Sequence, residues 1–192
     1  MPRELVNETL ALAQYAPSNS NIQPWHMVFA SGASRDRLVA ALIDEAQRRP
    51  PPLPASFQHF RNELGAQVYG AVRISREDTA RHAAAVLRNR EFFRAPVAGI
   101  VCMHRDLGPA DALSVGMFLR TLLLALTERS LGSCVEVSIS AYPNIVRAQL
   151  AIPTELSILC GLAIGYPDPE FPANKLHIAR ELIGENVVFL DN

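Results

Sequence analysis

Residues 17–25, which read PSNSNIQPW, carry a dense set of hydrogen-bonding side chains. Six of the nine residues are Ser, Asn, Gln or Trp, and each of these types has a side-chain donor. Pro17 and Pro24 restrict the path of the backbone that presents them. Such a segment can hydrogen-bond a planar, heteroatom-rich ligand without using charge. The alternative is an ordinary helix-to-strand connection, although turns have no general need for Gln followed by Pro-Trp.

The sequence lacks the usual motifs of side-chain catalysis and phosphate binding. It contains no G-x-G-x-x-G after a strand, no G-x-x-x-x-G-K, no H-E-x-x-H and no G-x-S-x-G. Its five histidines have no metal-ligand spacing, so we expect no metal site. Asp111, Glu128 and Glu136 have no sequence partner that would mark an acid–base pair. The sequence therefore predicts chemistry carried by a cofactor and no catalytic side chain.

The elements that would position the 17–25 segment are helices interleaved with strands. Helices are predicted from Pro2 to before Pro17, over 35–48, over 56–93, over about 109–130 and over 142–150. Strands are predicted over 25–30, 97–103, 135–139 and 156–164. Ser34 is expected to cap the second helix, and residues 50–54 (PPPLP) form a stiff linker or a ligand for a proline-reading partner. This order indicates a sheet covered by helices, of the α/β or α+β class.

The predicted helix over about 109–130 is apolar on every face. It begins at Pro109, and Gly132 lies just beyond its end. At 3.6 residues per turn little of it can meet water. Such a helix lies either at the centre of the core or in a subunit interface. Its apolar residues include Leu113, Val115, Met117, Phe118, Leu119, Leu122, Leu123, Leu124 and Leu126.

The pattern Pro-Ser-x-x-Asn-x-Gln-Pro-Trp at 17–25 resembles the signature loop of the FMN-dependent nitroreductase family. The resemblance continues through residues 131–134, 161–167 and 174–180. It implies one FMN-binding domain over 1–192 with an α+β fold, in which a mixed, mostly antiparallel sheet lies between helices in three α/β/α layers. It also implies a final strand near 187–189 and an intertwined homodimer with the 109–130 helix at the contact. The branch that the chain most resembles reduces nitroaromatic acids such as nitrobenzoates.

The resemblance implies an FMN site built from three parts of the chain. The 17–25 loop touches FMN, the segment after the 135–139 strand offers backbone donors to flavin N5, and a C-terminal arginine binds the phosphate. Two of these parts have an alternative without cofactor binding: Gln23 and Trp25 fix the loop and fill the core, and Arg180 is a solvated charge at the end of a helix. The candidate cofactor-binding residues are Ser18, Asn21, Gln23, Val137, Ser138, Ile139, Ser140, Arg180 and, as a weaker phosphate ligand, Lys175.

The activity implied by the resemblance is ping-pong hydride transfer. NADH or NADPH would reduce the flavin, and a nitroaromatic or quinone would then accept the electrons. No side chain need act as a nucleophile. Two alternatives remain: a degenerate, non-catalytic dimeric module of the same fold, and another flavin chemistry such as reductive dehalogenation or flavin fragmentation.

The beginning of the sequence departs from the family pattern. Family members usually carry Arg-Arg-Ser-x-Arg before the first helix, where these residues bind the FMN phosphate and ribityl chain. This sequence starts with Met1-Pro2-Arg3-Glu4-Leu5, and Arg3 stands at the wrong place to replace them. Either the start is truncated or mis-set, or the protein binds FMN more weakly than its relatives. Losing two or three charge-assisted contacts costs on the order of several kcal/mol.

Composition predicts a protein without affinity for nucleic acid or membranes. Of the residues, 49% are hydrophobic and 19% charged, and the net charge is −1.

Cys102, Cys134 and Cys160 form no C-x-x-C, so we expect three buried free thiols in a reducing compartment. The sequence opens without a signal-peptide pattern. Its longest apolar run, 112–127, is interrupted by Arg120 and short for a membrane span, and we expect a cytoplasmic protein.

Overall fold

The structure is a computed structural model that describes residues 2–45, 54–75 and 77–190. The chain divides into two compact units. The larger lies within residues 1–52 and 83–167, and the smaller within residues 53–82 and 168–192. The expectation of a single domain over 1–192 stays a prediction. The predicted helix end at 46–48 and most of the proline-rich segment, 50–53, lie outside the described residues.

The larger unit is built on an antiparallel sheet. In the described part of the chain its strands are β1 (Trp25–Ser31), β2 (Val97–His104), β3 (Gly132–Glu136) and β4 (Leu156–Gly165). Their spatial order is β1-β2-β4-β3, and each neighbouring pair is antiparallel. Six consecutive residues of β2, 98–103, are buried. A strand buried on both faces requires a layer of helices on each side of the sheet.

The two faces of the sheet carry separate hydrophobic layers. Along β2, Ala98, Ile100 and Cys102 point to one layer, and Val101 and Met103 to the other, as the two-residue period of a strand requires. The first layer is completed by α2 (Gly32–Glu45) and α6 (Pro143–Leu150). The second is completed by α1 (Arg3–Ala13) and α5 (Pro109–Glu128). The predicted α+β fold with helices on both faces of the sheet is confirmed.

Helix α5 begins where the sequence predicts. Pro109 occupies its first turn, and the backbone N–H of Gly108 donates to Oδ2 of Asp111 at 3.1 Å. One face of the helix packs on the sheet through Val115, Phe118, Leu122 and Leu126. By length and composition alone α5 is apolar enough to cross a membrane, with a mean hydropathy of 1.5. A single helix of this kind is weak evidence for a span, because the core helix of a soluble protein has the same properties.

The smaller unit contains α3 (Gln58–Ala71), the beginning of α4 (Thr79–Leu87) and α7 (Ile183–Asn186). The rings of Tyr69 and His82 lie 4.3 Å apart and join α3 to α4. A 3₁₀ turn at Pro172–Lys175 packs against α3. Several apolar side chains near the C-terminus are exposed: Leu182, Ile183, Val187, Val188, Phe189 and Leu190.

Three local predictions were wrong. Ser34 does not cap α2, because α2 begins at Gly32 directly after β1 and places Ser34 inside its first turn. Residues 137–139 are not strand, because β3 ends at Glu136 and the chain turns into a 3₁₀ helix over Val137–Ala141. Residues 187–189 do not form a strand in this chain, and their side chains are exposed.

The chain that follows β3 lies directly on the sheet at Gly161. A Cβ atom at this position would stand 2.7 Å from Cγ1 of Ile139 and 3.0 Å from the ring of Phe92. Ile139 and Phe92 are both fully buried, so neither has room to yield. The absence of a side chain at Gly161 therefore lets both residues pack against β4.

Gly161→Ala is expected to lower the free energy of unfolding by about 1–3 kcal/mol, because the added methyl overpacks this contact. Denaturant unfolding measures the change. The matched control is Gly70→Ala in α3, where an added Cβ meets nothing within 4 Å and alanine favours the helix. Equal stability of Gly161→Ala and the wild type would show that the contact can relax.

Candidate functional site

The loop after α1 brings three of the predicted site residues together. The backbone N–H of Gln23 donates to Oγ of Ser18 at 3.0 Å. Nε2 of Gln23 donates to Oδ1 of Asn21 at 3.2 Å and to its carbonyl oxygen at 3.3 Å. Ser18 is half-buried, and Asn21 and Gln23 are exposed. The loop thus presents a set of uncharged amide and hydroxyl groups.

The same loop stores backbone strain. Ser20, Asn21 and Gln23 have φ angles of 48°, 56° and 50°, in the left-handed region. Asn tolerates this region, whereas Ser and Gln adopt it at a cost of roughly 1–2 kcal/mol per residue. Strain of this kind persists only where the surroundings hold it, and it is concentrated at functional sites.

Two residues of α5 hold the loop in place. The backbone N–H of Asn19 donates to Oγ of Ser114 at 3.1 Å, and Nδ2 of Asn19 donates to Oδ1 of Asp111 at 3.5 Å. Ser114 and Asp111 are buried. The sequence places Asn19 and Ser114 95 residues apart, so pattern reasoning missed this anchor. The one signal is the Gly-Pro-x-Asp start of α5, which predicts a well-fixed first turn.

Trp25 fills the core, which is one of the two readings that the sequence leaves open. Its ring stacks on Phe118 with centroids 4.7 Å apart, and its Nε1 donates to Oε1 of Gln14 at 3.0 Å. The contacts of Gln23 within the loop agree with its loop-fixing role. A cofactor-binding role for Gln23 stays a prediction.

The Val137–Ala141 turn contains four more predicted site residues. Val137 is exposed, Ile139 is fully buried, and Oγ of Ser140 donates to the carbonyl of Val137 at 2.8 Å. Oγ of Ser138 is buried and has no hydrogen-bond partner. A buried unpaired hydroxyl is uncommon in native proteins and calls for an explanation such as a bound ligand or water.

Glu136, directly before this turn, is a residue that sequence reasoning passed over. It is 3% exposed, and neither carboxyl oxygen has a hydrogen-bond partner. Burial raises the pKa of Glu136 to about 8, and the nearby Arg90 opposes the rise. The carboxyl group therefore keeps its proton at neutral pH. The sequence predicts a strand over 135–139 but gives no local signal that Glu136 is buried.

Arg90 is itself buried. Its Nη2 donates to the Tyr142 hydroxyl at 3.3 Å and its Nη1 to the carbonyl of Val86 at 3.3 Å. The guanidinium lies 5.6 Å from the centre of the Tyr142 ring. Its Nε is buried without a partner. This arginine is held mainly by neutral groups.

The two predicted phosphate ligands lie in the smaller unit and are exposed. Nη1 of Arg180 donates to the carbonyls of Ile178 and Ala179 at 2.7 and 3.1 Å. Lys175 pairs with Glu170 at 3.0 Å. Both side chains therefore interact with nearby groups of the smaller unit. Their role in binding phosphate stays a prediction.

The cysteines differ from expectation at one position. Cys102 and Cys160 are buried, and burial raises the pKa of each thiol to about 11. Cys134 is exposed, because it lies on the edge strand β3, so the prediction of three buried thiols was wrong there. Among the described residues no group of three or more His, Cys, Asp or Glu side chains could hold a metal ion.

The family model described as "Nitroreductase family" matches residues 1–166. The chain is 32% identical to a 4-nitrobenzoate reductase of Nocardioides sp. (strain LMS-CY), over 99% of this chain and 82% of the relative. It is 30% identical to a nitrobenzene nitroreductase of Ectopseudomonas oleovorans, over 97% and 87%. The crystal structure of the FMN-dependent nitroreductase NfnB from Mycobacterium smegmatis, in complex with NADPH, superposes with a TM-score of 0.90 at 31% identity. That comparison covers 100% of this chain and 90% of that one.

The chain thus has the nitroreductase-like fold. It belongs to the nitroreductase family and is an oxidoreductase of the nitroreductase type.

Glu136 predicts a specific pH dependence of stability. Its pKa is raised from 4.5 to about 8, so the folded state binds this proton more tightly than the unfolded state does. The resulting stability is fully present below about pH 4.5 and is lost as the pH rises to about 8. We expect the melting temperature of the wild type to fall more steeply over this window than that of Glu136→Gln. Thermal melts followed by circular dichroism test this.

The control is Glu155→Gln, which removes an exposed carboxyl from the same unit. It should keep the steep pH dependence of the wild type. Parallel curves for the wild type and Glu136→Gln would mean that Glu136 ionises as freely as a surface carboxyl.

Proposed function

We propose that the chain is an FMN-dependent oxidoreductase that transfers hydride from NADH or NADPH to a nitroaromatic or quinone acceptor by a ping-pong mechanism. The observation that carries this proposal is the strained loop 18–23, which presents uncharged donors and is anchored to α5. The relative that was solved with NADPH supports the choice of reductant. The relatives named for nitrobenzene and nitrobenzoate support an aromatic nitro compound as the acceptor.

The residues present fit a flavin in their donor chemistry. The pyrimidine edge of the flavin ring carries carbonyl and imine acceptors, which suit the amide donor of Asn21, while the amide of Gln23 donates to Asn21 and holds it in place. The unpaired Oγ of Ser138 adds a buried polar group in the second predicted segment. Arg180 and Lys175, which belong to the smaller unit, stay the candidates that the sequence offers for the phosphate, because a phosphate requires positive charge and Arg is suited to forked donation.

When bound, FMN would supply the two-electron chemistry for which this chain offers no side-chain nucleophile. The chain's own contribution is to bind and to orient. Ser18 and Gln23 fix the loop that carries Asn21, and Ser114 fixes the loop through Asn19. Donors held in place before the reaction cost no reorganisation when charge develops, which is the main source of electrostatic catalysis.

We also propose that a second copy of this chain covers the apolar surface formed by α1 and α5. Leu113 and Leu124 of α5 are 67% and 53% exposed, Leu12 of α1 is 44% exposed, and Tyr15, just after α1, is 88% exposed. A groove of about 630 Å³ is lined by Leu12, Tyr15, Thr121, Leu124, Ala125, Glu128 and Arg129. Contiguous apolar surface of this kind marks an interaction site, and a twofold dimer buries the same patch on both copies.

The free cysteines support a reducing, cytoplasmic location.

Reconstitution with FMN tests the proposed function. After incubation with excess FMN and desalting, the protein should show bands near roughly 370 and 450 nm, the signature of a bound flavin. NADH or NADPH should bleach the longer-wavelength band, and 4-nitrobenzoate should restore it. Protein that stays colourless and shows no NAD(P)H-dependent activity with added FMN would contradict the proposal and favour the non-catalytic alternative.

Asn21→Ala should weaken FMN binding about fivefold to tenfold, because one hydrogen bond worth about 1 kcal/mol is lost. The free energy of unfolding should also fall by roughly 1 kcal/mol, because Ala adopts the left-handed φ of 56° less readily than Asn does. Quenching of FMN fluorescence gives the affinity. The control is Asn7→Ala, an exposed amide on α1, which should bind FMN as the wild type does. Unchanged affinity in Asn21→Ala would remove this residue from the site.

Leu124→Asp should convert the dimer to a monomer, because two charges would be buried in one symmetric contact. Sedimentation equilibrium measures the molecular mass. Leu64→Asp is the control, since Leu64 is 46% exposed on α3 of the other unit and should leave the mass unchanged. A soluble dimer formed by Leu124→Asp would place the interface elsewhere.

A further inference from the structure

A single carboxyl group is buried under the Val137–Ala141 turn. Glu136 of β3 pairs with Gly161 of β4, so the two positions share one face of the sheet. On this face Ile139 and Phe92 lie over Gly161, at 2.7 and 3.0 Å from the place of a Cβ atom. The carboxyl of Glu136 therefore sits in the apolar layer that supports the turn from below.

No charged group among the described residues forms a hydrogen bond with the carboxyl of Glu136. Arg90 favours its ionised form, but Nη1 and Nη2 of Arg90 donate to Val86 and Tyr142, and its Nε makes no hydrogen bond to the carboxyl. The other titratable groups that interact with Glu136 are the thiols of Cys134 and Cys160, whose pKa values are raised to about 11. Both thiols are neutral at physiological pH. Glu136 thus faces one cation that is bonded elsewhere and two neutral groups.

We propose that Glu136 is a positioning residue for the cofactor: its uncharged carboxyl keeps the Val137–Ala141 turn seated on the sheet, and loss of its proton unseats the turn and weakens flavin binding. The statement about the turn stands on the contacts of this chain alone. The statement about flavin rests on the proposed function.

The physical reason is that an ionised carboxylate cannot stay in this layer as it is. A charge without hydrogen bonds in apolar surroundings is costly and must be solvated or paired. Solvation requires water to enter beneath Ile139. Pairing requires Glu136 and Arg90 to approach each other, because no hydrogen bond joins them, and Arg90 is tied to the hydroxyl of Tyr142, the residue that directly follows the turn. Because the packing at Gly161 leaves no spare volume, either change displaces the turn.

The consequence is a proton-linked equilibrium. If the seated turn requires the proton, the seated population falls about tenfold for each pH unit above the pKa of Glu136. Ligand that binds only the seated turn loses affinity in the same proportion. At neutral pH the turn is seated, and above about pH 8 it loosens.

Hydrogen–deuterium exchange of the cofactor-free protein tests the first statement. Backbone protection of residues 137–141, corrected for intrinsic rates, should fall about tenfold between pH 7 and pH 9 in the wild type. In Glu136→Gln, which keeps the shape and cannot ionise, protection should stay constant. Glu155→Gln, the exposed control, should follow the wild type. Identical pH profiles for the wild type and Glu136→Gln would overturn the proposal, and so would a turn that is loose in Glu136→Gln at every pH.

FMN titration at the same pH values tests the second statement. The Kd of the wild type should rise about tenfold from pH 7 to pH 9, and that of Glu136→Gln should change less than about twofold. Glu136→Met, an apolar side chain of similar length, serves if Glu136→Gln does not fold. Failure to bind FMN at any pH would contradict the proposed function, whereas the exchange experiment would still decide the role of Glu136. Equal pH dependence of Kd in the wild type and the variants would overturn the link to the cofactor.

Discussion

Burial of the central strand β2 on both faces is the constraint on which the rest of the structure depends. Because six of its consecutive residues are buried, each face of the sheet needs its own helical layer. The layer that contains α5 fixes the start of this helix, where Asp111 accepts from Gly108 and from Asn19. The candidate ligand-binding loop is therefore positioned by the core and not by its own sequence alone.

The other face supports the second part of the candidate site by close packing. Phe92, Phe93 and Arg94 have φ angles of 51°, 50° and 64°, so three successive residues with side chains adopt the left-handed conformation. Such a stretch persists only when its surroundings determine it. The complete burial of Phe92 over Gly161 provides that restraint. In both parts of the candidate site, a segment with strained backbone or an unpaired polar side chain is held by well-packed core residues.

The sequence predicted the elements whose signals are local. Strands β1, β2 and β4 and helix α5 follow from apolar runs and from Pro109, and their ends agree within one or two residues. It failed where a tertiary contact overrides the local pattern. Residues 137–139 read as strand, but Ile139 turns down onto Gly161. The anchor of Asn19 on Ser114 and the burial of Glu136 have no local signal, because they depend on segments far apart in the chain.

The buried Glu136 also shows how stability and ligand binding share one interaction. A methionine of similar length would fill this layer without an unsatisfied polar group, and such replacements often stabilise a fold. The carboxyl instead makes the fold sensitive to a proton over a range in which surface carboxylates are already ionised. Because the turn that it supports carries the unpaired Ser138 hydroxyl and lies at the end of β3, that sensitivity acts on a candidate ligand-binding segment. The same buried carboxyl that lowers the stability of the fold therefore also affects the position of the Val137–Ala141 turn.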